Sequence, residues 1–134
     1  MFYYGSIKVN KLTEKGEEKE VRESYVIENI DLFAEAEAKL LELYNGECDV
    51  FDIKRANIME IVNQPFEDSK IFKAKLITTF VDDKGKEKEK SYYVLLFAKN
   101  IENANSIMKE YVKSGLQDLE IKSISETKYL EVLK

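Results

Sequence analysis

The stretch "DVFDIKRANIMEIV", residues 49–62, sets two cations, Lys54 and Arg55, between the carboxylates of Asp52 and Glu60. A guanidinium can fork onto a carboxylate or a phosphate, and a lysine adds a compact point charge. Neighbouring residues on a strand point to opposite faces, so only one of the two can look into a given cleft. The plainer reading is that Lys54 is a surface lysine and that Arg55 pairs with Asp52 or Glu60 inside the fold. The chain closes on "DLEIKSISETKYLEVL", residues 118–133, which repeats the order acidic, apolar, acidic, Ile-Lys, polar, apolar-Glu-apolar-apolar. In that alignment Lys122 stands where Lys54 does and Ser123 meets Arg55. Tyr4, Lys54, Arg55, Asn57, Lys122 and Ser123 form the candidate set for binding a ligand or partner.

Other residue types point to weaker chemistry. Glu60 and Glu131 sit in matching contexts, "MEIV" and "LEVL", where a carboxylate pair can do acid/base work or clamp a divalent metal. Simple alternation on a half-buried strand explains them as well. The chain has no histidine, which removes the usual neutral-pH base and the usual metal ligand. No catalytic residue, metal ligand or cofactor is therefore assigned, and the expectation is a protein without enzymatic activity. The run "DDKGKEKEKS" reads as a charged hairpin; its lysines interleave with glutamates, so it is nearly self-neutral and is expected to be a solvated turn. Its alternating charge also blocks edge-to-edge association. Eight tyrosines and seven phenylalanines suit a surface that is part apolar and part hydrogen-bonding, although ordinary core packing accounts for many of them. Cys48 lies in the acidic segment "NGECD", where carboxylates raise a thiol pKa and disfavour a reactive thiolate.

The elements that must hold these residues repeat. At a shift of 68 or 69 residues Gly16 meets Gly85, Tyr25 meets Tyr93, and Phe33, Ala36 and Leu40 meet Ile101, Ala104 and Met108. Ile53-Lys54 meets Ile121-Lys122, and three residues further on in the second copy "MEIV" meets "LEVL". Each half reads as hairpin, helix, strand, short strand. "FYYGSIKVNKL" and "VRESYVIEN" flank the turn "TEKGEE"; "KIFKAKLITTFV" and "KSYYVLLFA" flank "DDKGKE". Tyr3, Ile7 and Val9 share one face of the first strand. "YYVLLF" is apolar on both faces and predicts a central strand; "SYVIEN" is half as apolar and is expected to keep one wet face. In "DLFAEAEAKLLELY" the stripe Phe33, Ala36, Leu40 and Leu43 predicts a helix capped by Asp31 and stopped at Asn45-Gly46. In "NIENANSIMKEYVKSG", Ile101, Ala104, Met108 and Tyr111 face inward, Asn100 caps and Gly115 ends the helix. The segment "NQPFEDS" links the halves.

These units predict one α+β domain over 1–134, built from pseudo-symmetric halves 1–64 and 65–134. The expected architecture is an antiparallel-dominated sheet or partly closed barrel carrying two helices; two small sheets joined edge to edge are the alternative. With 134 residues, 44% of them hydrophobic, such a domain needs no staple. The net charge of -5 disfavours a nonspecific grip on nucleic acid or an anionic membrane. That charge is uneven, with residues 1–64 at -6 and residues 65–134 at +1, so an acidic face on the first half can meet a basic partner. One cysteine allows no internal disulfide and suits a reducing, cytoplasmic setting. "MFYYGSIKVNK" lacks the pattern of a secretory signal, and no apolar run is long enough to span a bilayer.

The segments "FAEAEAKLLE", "DIKRANIMEI" and "IKSISETKYLEVL" together resemble a bacterial family of unknown function, numbered 4494, over almost the whole chain. Asp52 to Ala56 is the most specific piece; where the family often has "TEAEA" this chain has "AEAEA", so Ala34 cannot cap. The resemblance implies a bacterial cytoplasmic or mobile-element setting, in Bacteroidetes and their phages and plasmids, and brings no known reaction. The leading expectation is a small binding protein that acts on a host protein or sequesters a small anionic nucleotide, with a homodimer as one possible form. A nucleic-acid-associated accessory protein is the alternative, and a carboxylate-metal enzyme ranks last.

Overall fold

The computed structural model describes residues 1–115 and 118–134. Among the described residues the chain runs β1 (Phe2–Leu12), β2 (Glu18–Ile27), α1 (Phe33–Glu42), β3 (Asp49–Ala56), β4 (Glu60–Ile61), then β5 (Lys70–Val81), β6 (Glu87–Ala98), α2 (Ile101–Ser114), β7 (Glu120–Glu126) and β8 (Tyr129–Leu133). The order β-β-α-β-β thus occurs twice. The fold is α+β, with two mixed four-stranded sheets, ordered β3-β1-β2-β8 and β4-β6-β5-β7. Neither closes into a barrel. Both hairpins are antiparallel, and each sheet adds one parallel strand, β8 beside β2 and β4 beside β6. No described helix is long and apolar enough to cross a membrane.

The chain divides into two compact units, Met1–Asn57 with Lys128–Lys134, and Ile58–Thr127. Their boundaries are not those of the repeat. After β3 the chain crosses into the second unit to supply β4, and after β7 it returns to the first to supply β8. Each unit is completed by a strand encoded in the other half.

In the first unit α1 covers one face of its sheet. Tyr3, Ile7, Tyr25, Ile27, Ala36 and Leu40 form the buried cluster, with Leu43, Tyr44, Val50, Ile53 and Leu133 packed on it. Gly5 sets how close the helix comes. A Cβ there would lie 2.5 Å from Cδ1 of Leu40, a fully buried side chain with little room to give. In the second unit Ala74 occupies the corresponding place, and Phe72, Leu76, Val94, Leu96, Ala104 and Met108 pack around it. The turns also match: Gly16 and Gly85 have φ of 78° and 77°, in the region glycine tolerates best.

Several details depart from the sequence reading. Asp31 does not cap α1. Leu32 holds that position with no side-chain hydrogen bond, and the Asp31 carbonyl instead accepts from the Tyr3 hydroxyl. Phe33 and Ile101, the first residues of the two stripes, stay exposed, because each sits in the opening turn ahead of the sheet contact. The strand of "SYVIEN" has no wet face: Ser24, Tyr25, Val26 and Ile27 are all buried, and on the face away from α1 the stacked rings of Tyr4 and Tyr129 stand opposite Val26 and Ser24. Asn100 does cap α2, accepting from the Asn103 N–H at 2.8 Å, and β6 is an interior strand as expected.

The register also moves two alignments. Tyr25 pairs opposite Gly5 and Val94 opposite Ala74, so Tyr25 matches Val94 rather than Tyr93. Gly5 pairs opposite Ile53, while Ala74 pairs opposite Ile124. The three extra residues of the second copy therefore precede β7 rather than follow it. Lys54 corresponds to Ser125 and Arg55 to Glu126, so the proposed Lys54–Lys122 equivalence is lost. Lys122 is the bulged residue of β7 and matches Phe51, the bulged residue of β3.

Candidate functional site in the first unit

Strand alternation puts Phe2, Tyr4, Ser6 and Lys8 of β1 on the face away from α1. Cross-strand register adds Arg22 and Ser24 from β2, and Asp52 and Lys54 from β3. Tyr4 pairs opposite Lys54, so these two predicted residues are neighbours. The Tyr4 ring stacks on Tyr129 of β8, with centroids 4.5 Å apart and planes within 5°. Burial, and then Tyr129, pushes the Tyr4 pKa up to about 12. In the next row the Ser6 and Ser24 hydroxyls meet at 2.8 Å, both residues buried.

Beyond the serines the ladder breaks. The register shifts between Ser6 and Ile7, leaving Phe51 as the extra residue of β3. A bulge re-aims the side chain it carries. Phe51 stays 44% exposed, with the Lys8 ammonium 5.0 Å and the Arg22 guanidinium 5.5 Å from its ring centroid. The ring forms one wall of a cleft of about 310 Å³ that Ser6, Arg22, Ser24, Asp52, Lys128 and Leu130 help to line. All of these residues belong to the first unit. The charged lining is Arg22 and Lys128 against Asp52 and Glu23. Glu23 is paired with Lys11 and Lys8 stands at the Phe51 ring, so the balance left at the cleft favours an anion. A wider depression of about 510 Å³ between α1 and β8 is lined by Lys39, Glu42 and Glu131 without a buried polar group.

Glu23 also borders this cleft, but its carboxylate is engaged elsewhere. It accepts from the Tyr44 hydroxyl at 2.6 Å, the Tyr25 hydroxyl at 3.2 Å and the Lys11 ammonium at 3.0 Å. Burial works to raise its pKa, yet the bonds from Tyr44 and Lys11 outweigh it and hold Glu23 below the usual carboxylate range. Cys48 packs against the same cluster, and its thiol donates to the Leu40 carbonyl at 3.8 Å. Burial first, then Asp49 and Glu23, pushes that thiol up.

The remaining predicted residues are dispersed. Arg55 pairs opposite Tyr3 on the other face of the sheet, and its guanidinium donates to the Met1 thioether sulfur rather than to Asp52 or Glu60. Asn57 is an exposed residue just past β3. Lys122 and Ser123 are exposed on β7 of the second unit. Glu60 accepts from the Tyr111 hydroxyl, while Glu131 belongs to β8 of the first unit. No group of three or more acidic, His or Cys side chains among the described residues is placed to hold a metal ion. Sequence reasoning missed Phe51, Arg22 and Lys128. Arg22 carried a signal, because it falls opposite Lys8 once the hairpin is closed on Gly16. The Phe51 bulge left none.

The whole chain, residues 1–134, matches the family described as Domain of unknown function (DUF4494), and the protein belongs to that family. No curated protein and no solved structure matches it.

Proposed function

We propose that this protein is a non-enzymatic binding protein whose first unit captures a small anionic ligand of the nucleotide class. The observation that supports the reading best is the Phe51 bulge. It sets an aromatic ring beside two cations at the mouth of a cleft whose size suits a small ligand. In this reading Arg22, Lys8 and Lys128 take the phosphate, and a base lies along Phe51 while the buried serine pair bounds the floor. The phage and plasmid setting implied by the family resemblance gives such capture a role, the removal of a signalling nucleotide in the bacterial cytoplasm.

Isothermal titration with inorganic phosphate and a panel of mononucleotides and cyclic nucleotides tests it. Binding by at least one nucleotide, weakened about tenfold by Arg22→Ala and by Phe51→Ala, is expected, since each contact contributes about 1–2 kcal/mol. Arg55→Ala should leave the affinity unchanged, because Arg55 lies on the opposite face. Absence of heat with every member of the panel, or equal losses for Arg55→Ala and Arg22→Ala, would overturn the assignment.

A further inference from the structure

The β5–β6 ribbon contains "KEKEK", Lys86 to Lys90, in which charge alternates with the period of the strand. On a strand this alternation sorts charge by face instead of cancelling it. Lys88 lies opposite Phe80 and Lys90 opposite Thr78. Their face continues into Tyr92 and Leu76, which belong to the α2 side of the sheet. Glu87 lies opposite Val81 and Glu89 opposite Thr79, on the other face. Lys86, Lys88 and Lys90 are all exposed. Phe80 stands 45% exposed among them, and the Lys90 ammonium sits 5.3 Å from the Tyr92 ring centroid.

Of the two aspartates in the turn of this ribbon, Asp83 is exposed beside Lys84 and Asp82 lies opposite Lys86. Asp82 accepts from the Lys84 and Lys86 backbone N–H groups, both at 2.9 Å, and meets the Lys88 ammonium at 3.4 Å. It is thus committed to the turn, and Lys86 and Lys90 leave the face with excess positive charge. The first ribbon provides an internal comparison. With Gly16 set on Gly85, Glu17 replaces Lys86, Glu23 replaces Tyr92 and Lys11 replaces Phe80. Lys19 keeps the place of Lys88, but Val21 replaces Lys90, so the matching face there has neither the lysine at every second position nor the exposed ring.

We infer that this face of the second ribbon binds a single-stranded nucleic acid, independently of the cleft in the first unit. Alternate strand residues lie about 7 Å apart, so Lys86 and Lys90 span roughly 14 Å of a phosphate backbone, with Lys88 between them paired to Asp82. Phe80 then stacks on a base, which an unpaired strand offers and a duplex hides. The net charge of -5 confines the contact to this face and makes it sensitive to salt.

Fluorescence anisotropy of the full chain with a labelled oligothymidine of about 12 nucleotides, and with a duplex of equal length, tests the inference. At low salt the single strand should bind, with log affinity falling against log salt at a slope of about -1.4 for two phosphate contacts. Lys86→Glu with Lys90→Glu should abolish binding, whereas Lys15→Glu with Lys19→Glu, the same charge change on the first ribbon, should leave it within about twofold. Phe80→Ala should lose about tenfold on the single strand. No binding by the wild type, equal losses for the two lysine pairs, or a preference for the duplex would each overturn the inference. Circular dichroism of every variant separates these outcomes from misfolding.

Discussion

Glu23 is a buried carboxylate with three donors around it, and its ionisation is tied to folding. Its folded pKa lies below its ordinary value, so the charged form favours the native state. The stabilisation is present above the unfolded pKa of about 4.3 and is lost as pH falls through the folded value. Glu23→Gln keeps the shape but gives Lys11 no charge to meet. At pH 7 the variant should be less stable by about 1 kcal/mol, measured by urea unfolding. The gap should narrow as pH drops below about 4.3, because every other carboxylate is common to both proteins. A gap that stays constant down to pH 3 would mean that charge at Glu23 contributes nothing. This cluster was hidden in the sequence. Glu23 reads as a polar residue at the start of a half-wet strand, and its partners Lys11 and Tyr44 are 12 and 21 residues away.

At the scale of elements, most of the fold was legible where local rules act alone. The bounds of β1 and β5, Phe2–Leu12 and Lys70–Val81, follow from period-two alternation and the turn glycines. The Asn100 cap follows from side-chain chemistry within one turn. What could not be read depends on neighbours: the burial of Ser24, the bulge at Phe51 and the displaced start of α1. The two helices make the point testable. Asn100 closes the N-terminus of α2 through its side chain, while Leu32, in the same extended conformation and 60% exposed, offers α1 nothing. Asn100→Ala should cost about 1 kcal/mol, and Leu32→Ser should gain about 0.5–1 kcal/mol. Chemical denaturation would read both. A gain from Asn100→Ala, or a loss from Leu32→Ser, would show that something other than capping governs these ends.

At the scale of the molecule, the duplication read from the sequence accounts for the repeated element order but not for where the last strand of each copy goes. The period of two in "MEIV" and "YLEVL" is satisfied by any sheet edge, so pairing partners are not written locally. The crossing has a consequence for folding. Residues 128–134 complete the first unit: Val132 and Leu133 pair with Val26 and Ile27, the Leu133 carbonyl accepts from Glu28, and Tyr129 stacks on Tyr4. Removing them exposes an interior strand and the edge of the α1 cluster, at a cost of about 3 kcal/mol for the apolar area lost. In a chain ending at residue 127, amides of β1 and β2 should exchange roughly a hundredfold faster, because local opening governs their protection. Amides of β5 and β6 should keep theirs, since β4 and β7 remain. Two self-contained copies would behave differently, with the loss confined to the second half of the chain. Hydrogen exchange read by mass spectrometry distinguishes the two patterns, and protection lost only from β5 to β7 would rule out the strand exchange.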